Sequence, residues 1–323
     1  MSVQPRCIVE TDFRRSGMRR CFMIDPKQGY SAGHMNERHR AILRMLLCAV
    51  LWSTGGMLIK LVPWNAIALV GARGLIAGVT IFLYMRCRRI PFKLSKQTLL
   101  VATGVAGLFV CFVSATKLTT AANAVVIQYT GPMFFLLYCA IFRKQRFRAA
   151  DYGIVIVTTL GIGMFFFGDL GGGAAIGNVV ALFSGLFFTL NLVASGDADE
   201  VERLNGFLQA QLLCALIGLP FFLTTSPVFT LETVGCLLLL GVFQVGVSYI
   251  LYALALRACP PLACSLLATL EPLLNPVWVF LTVGELPGTL SLVSGALVVA
   301  AITLWCVYND RHPIRSEAET LRP

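Results

Sequence analysis

The chain has 323 residues, of which 57% are hydrophobic and only 13% charged, too few polar side chains to clothe a water-soluble surface of that size. A formal net charge of +10 does not point to nucleic acid here, because the basic residues gather beside apolar runs. Those runs are about 20 residues long, the length of a helix crossing ~30 Å of hydrocarbon, whereas a membrane barrel would alternate over ~10-residue segments.

In chain order, residues 1–40 come first and carry Arg6, Arg14, Arg15, Arg19, Arg20, Lys27, Arg38 and Arg40, with no apolar core long enough for a signal peptide. They read as a disordered cytoplasmic tail; a start at Met35 would remove most of it. Ten spans follow, at 43–61, 66–86, 98–116, 121–142, 151–168, 176–195, 206–225, 232–254, 259–283 and 288–308. The Gly-rich stretch 168–177 joins two sets of five, 43–168 and 176–308, and 309–323 is a second cytoplasmic tail. The predicted fold class is an all-α polytopic membrane protein of ten transmembrane helices. An odd number of crossings per set turns the second set upside-down, giving two inverted five-helix repeats.

Positive charge sets the orientation. Arg88, Arg89, Lys93 and Lys96 follow span two, Arg143, Lys144, Arg146 and Arg148 follow span four, and Arg311, Arg315 and Arg322 follow span ten. The alternate connections are nearly bare apart from Lys60 and Lys117, so both termini are predicted cytoplasmic, in a bacterial inner membrane. The acidic connection around Asp197, Asp199, Glu200 and Glu202 gives no positive support.

Spans four and nine align with a shift of 140 residues, which puts Lys117 on Arg257, Gly131 on Glu271 and Pro132 on Pro272. A mid-helix proline removes a backbone hydrogen bond, which a membrane tolerates where a neighbour or a cavity satisfies the freed carbonyl. Pro132, Pro272 and Pro276 are therefore predicted kinks beside a central pathway.

These segments resemble the drug/metabolite transporter superfamily in its EamA-type branch. The resemblance lies in LLCAVLWSTGGMLIKL at 46–61, GARGLIAG at 71–78, TTAANAVVIQYTGP, and ACSLLATLEPLLNPVWVFLTVGELP, and it covers about 43–308. It implies two five-helix EamA units and movement of small organic solutes, frequently amino acids and often outward. The family's Gly-Glu-Arg after the fourth span of each half survives only as Gly284 and Glu285 in the second half; the first has Arg143, Lys144 and Gln145.

Charges within hydrocarbon are costly, so those present are functional candidates. Arg73 and Glu271 sit at comparable, near-central depth, which would permit a salt bridge or a shared polar cavity. Glu271 could bind a substrate amine or exchange a proton, and Arg73 could grip a carboxylate; each could equally be structural. Asn275 and Trp278 share a helix face with Glu271. Trp52 and Ser53 in span one, Gln128 and Tyr129 in span four, and Gln244 in span eight complete the predicted substrate-binding set. Gly74 and Gly78 form a GxxxG face for close packing, with a homodimer as an alternative use.

The predicted function is a secondary transporter of a small amino-acid-like or amine metabolite, with lipid, solute and protons as partners. The alternative is a membrane-embedded enzyme acting on lipid or peptide. An enzyme would need a nucleophile–base set or metal ligands. His34, His39 and His312 lie in the tails, there is no CxxC, HExxH or GxSxG, and no Walker motif implies ATP. No catalytic residue, metal or cofactor is predicted.

Overall fold

The computed structural model describes residues 32–142, 173–259, 264, 267–285 and 288–311, with some residues between 153 and 164. Most of the predicted fifth span, the basic connection Arg143–Arg148, residues 168–172 of the 168–177 joint, and residues 1–31 and 312–323 of the two tails lie outside that description.

The described elements are helical throughout. α1 (Ala32–Ser53) and α2 (Gly55–Leu61) form one broken span, followed by α3 (Ala66–Cys87) and α4 (Lys96–Leu118). α5 (Ala121–Gln128) and α6 (Gly131–Phe142) form a second broken span, and α7 (Gly173–Asp197) and α8 (Glu200–Thr225) come next. α9 (Leu231–Leu238), a π-helical segment (Leu239–Val247) and α10 (Ser248–Ala255) make one continuous rod; α11 (Leu270–Val283) and α12 (Thr289–Arg311) end the bundle. Among the described residues, seven helices are long and apolar enough to cross a membrane, and Leu270–Val283 and Leu292–Trp305 are shorter apolar helices. The chain is thus an integral, multi-pass membrane protein.

Helix starts follow from short polar side chains. Asn65 accepts from the N–H groups of Ile67 and Ala68, and Thr120 from that of Asn123. Ser95, Asp199 and Thr230 each form a reciprocal capping box. The box at Asp199 explains why α8 begins at Glu200 and not at 206: Glu202 N–H donates to Asp199 at 2.7 Å, drawing a polar turn into the helix. At the other extreme, α1 runs back to Ala32, through residues predicted as tail.

Glycine sets the closest packing. A Cβ on Gly71 would lie 2.7 Å from the Cα of Gly218, and one on Gly74 would lie 2.9 Å from the Cβ of Cys214, so α3 and α8 meet backbone to backbone. The Gly74–Gly78 face is therefore used inside the chain, and is not left free for a second copy. α4 packs on α7 and α8, α3 on α8 and the π segment, α1 on α10 and α11, α2 on α11, and α5 and α6 on α7.

The connections interlock at two opposite ends. At one end Lys60 pairs with Glu285 at 2.8 Å, Lys117 donates to Val62 O, and Trp64 Nε1 donates to Val228 O at 2.9 Å. At the other, Lys93 pairs with Glu202 at 2.9 Å, Arg257 pairs with Glu200, and Asn205 donates to Pro91 O at 3.0 Å. The acidic connection before α8 is thus matched to basic partners. The hydrogen bond to Glu202 holds the Lys93 ammonium above its ordinary pKa, and Glu200 does the same for Arg257.

Candidate functional site

The broken helices converge on a buried cavity lined by Trp52, Leu108, Phe109, Phe112, Gln128, Phe188, Gln244, Tyr249 and Glu271. Space for the centre of a water-sized molecule is about 30 Å³, enough for a water or two and too little for a metabolite. This is a contracted state.

Each break places a polar side chain on the wall. α1 stops at Ser53, one residue after Trp52; α5 stops at Gln128; and Gln244 lies within the π segment, a helical irregularity often found at functional sites. Two glycines at the start of α2 let the far side approach. A Cβ on Gly55 would lie 2.7 Å from Gln244 Nε2, and one on Gly56 2.6 Å from Asn275. Aromatic rings fill the rest. Trp52 lies 5.5 Å from both Tyr249 and Tyr252, and Phe109 5.3 Å from Tyr249, centroid to centroid.

Glu271 is the lining carboxylate and is 5% exposed. Its Oε2 lies 2.9 Å from the hydroxyl of Tyr129. Trp52 Nε1 and Gln128 Oε1 are buried without a hydrogen-bond partner, so the wall carries one donor and one acceptor that contraction leaves unused.

The remaining predicted residues stand behind this wall. Tyr129 is fully packed, its hydroxyl also 2.5 Å from Ala268 O. Asn275 Nδ2 donates to Ser53 O at 3.1 Å and Trp278 Nε1 to Ser53 Oγ at 3.0 Å, so two members of the Glu271 stripe bridge α11 to the break in span one. Asn275 Oδ1 has no partner.

Arg73 is 1% exposed and forms no ion pair with Glu271. Its guanidinium sits 4.6 Å from the Phe109 ring centroid, a cation–π contact worth up to ~2 kcal/mol when desolvated. Nη1 makes a long contact of 3.4 Å to Gln244 Oε1, and Nη2 has no partner. Several kcal/mol are the usual desolvation penalty for such an ion, so this cation is incompletely compensated and lies one side chain from the cavity. Polarity singled out Trp52, Gln128, Gln244 and Glu271, but missed the apolar wall of Leu108, Phe109, Phe112 and Phe188. The first three fall within about one turn of α4, the sole sequence signal for them.

Residues 39–167 match the EamA-like transporter family. Over 237 residues the chain is 25% identical to the pseudopaline exporter CntI of Pseudomonas aeruginosa strain UCBPP-PA14, covering 69% of this chain and 80% of that protein. The same exporter from strain PAO1 matches equally, 25% over 237 residues. A solved crystal structure aligns with a TM-score of 0.63 at 19% identity, over 85% of this chain and 99% of its own, a likeness of fold alone. Family and relatives point to transport and away from the membrane-enzyme alternative. Over residues 39–167 the chain is thus similar to EamA-like transporters, and over 237 residues to a metabolite exporter.

Proposed function

We propose that the chain is a secondary transporter that moves a small amino-acid-like or amine metabolite outward by alternating access. The observation that carries this reading is the cavity, buried where broken helices meet and lined by Glu271. A carrier needs a small polar site at mid-membrane and helices able to part on either side of it. Glu271 receives the amine and exchanges it for a proton, the coupling ion. Gln128, Trp52 and Gln244 supply hydrogen bonds, and the free Nη2 of Arg73 reaches a carboxylate once Gln244 swings aside. Ser53, Asn275 and Trp278 connect α11 to the break in span one, and Tyr129 connects it to span four. Export as the direction follows the CntI relatives.

The frame is proposed as ten helices in two inverted repeats, 43–168 and 176–308, with both termini cytoplasmic in a bacterial inner membrane. Packing supports it. With spans counted as predicted, the contacts of three with six, three with seven and four with six turn into eight with one, eight with two and nine with one when five is added. All of those contacts occur, and two with seven maps onto itself.

A thermal-shift screen of purified protein against amino acids, small amines and pseudopaline should find stabilising solutes, and counterflow in proteoliposomes should show saturable exchange of them. Hydrolysis of a solute without exchange would refute the proposal.

A further inference from the structure

Pro272 has no N–H, so the carbonyl four residues before it, that of Ala268, loses its helical partner. Tyr129 replaces that partner from the opposite half: its hydroxyl lies 2.5 Å from Ala268 O. The same hydroxyl oxygen lies 2.9 Å from Glu271 Oε2. Counting protons decides what joins these three oxygens. A phenol carries one proton, a carbonyl only accepts, and an ionised carboxylate only accepts. The shorter contact claims the phenolic proton for Ala268. The contact to Glu271 is then a full hydrogen bond only if the carboxyl group brings a proton of its own.

We infer that Glu271 is protonated in this contracted state and donates to Tyr129, which donates on to Ala268 O, and that Tyr129 is the positioning residue that holds this proton. Because Ala268 O is free only through the Pro272 kink, the proton is tied to the bent form of span nine. Straightening or tilting that segment pulls Ala268 from Tyr129, frees the phenolic proton, and lets Tyr129 donate to an ionised Glu271 instead. Loading and release of the proton are thereby coupled to helix geometry.

Among the described residues the surroundings offer no rival partner for the carboxyl group. α1 presents Cys48, whose Sγ donates to Ser248 O, and α10 presents Tyr249. The charged group of α2, Lys60, is taken by Glu285. Arg73 on α3 is turned to Phe109 and Gln244, while α4 and α7 offer Leu108, Phe109, Phe112 and Phe188.

This inference rests on Glu271 as the transport group, and its test needs no solute. Infrared difference spectra of purified protein, titrated with pH in lipid, report protonated carboxyl groups by their carbonyl stretch. Wild type should show at neutral pH a protonated-carboxyl band that Glu271→Gln lacks. In Tyr129→Phe, checked for folding by thermal melting, the band should move to higher frequency, the loss of one hydrogen-bond acceptor. Absence of the band from wild type at neutral pH, or a band that keeps its wild-type frequency in Tyr129→Phe, would overturn the inference. The transport reading is tested apart from this, because wild-type counterflow in Glu271→Gln would remove Glu271 from transport whatever the spectra show.

Discussion

The α5–α6 rod breaks at Tyr129 and Thr130, and α11 begins after Thr269, 140 residues beyond Tyr129. Both broken helices carry a proline just past the break, Pro132 and Pro272. Their chemistry then diverges. Gly131 is pressed against α7, where a Cβ would lie 2.5 Å from the Phe188 ring, and its carbonyl accepts from Thr189 at 2.7 Å. Glu271 stands at the matching position and lines the cavity. One break is a packing joint that contributes a hydroxyl; the other contributes a carboxyl group and a freed carbonyl. The two breaks thus share their geometry and differ in polarity.

The largest predicted effect comes from erasing that inequality. Glu271→Gln should bring counterflow to background while leaving expression and melting temperature near wild type. Next, Pro272→Ala restores an N–H for Ala268 O and makes Tyr129 redundant there. It should leave the protein as stable or about 1 kcal/mol more stable, measured by thermal unfolding, yet slow exchange severely. The smallest effect lies where the two breaks are tied together. Glu285, just after α11, accepts the Ala121 N–H of α5 at 2.8 Å and pairs with Lys60, both side chains about a fifth exposed. Lys60→Glu and Glu285→Lys should each lower stability. Combined, they should recover a coupling of about 0.5–1 kcal/mol, discounted for solvent screening.

Charge and hydropathy made the membrane class, most of the spans and the matched prolines legible, because hydrocarbon admits few other patterns. Four of the predicted site residues line the cavity, since polar side chains at mid-depth have few other uses. Sequence could not distinguish Asn275 and Trp278 from Glu271, as all three share a face; only the break at Ser53 decides that two of them bridge helices. Nor could it see the aromatic wall, where Phe109 and Phe112 look like any other span residues. The π segment was equally hidden; within it Gly241 and Gly246 pack closely against Ile76 and Thr80 of α3, contacts between residues far apart in the chain.

Alternating access to the cavity is tested most directly at Gln128, which lines it and ends α5. In a background stripped of other cysteines, Gln128→Cys should react with a membrane-impermeant maleimide from either face, in right-side-out and in inverted vesicles. A solute that binds should suppress labelling from both. Labelling confined to one face under all conditions would contradict alternating access through this cavity.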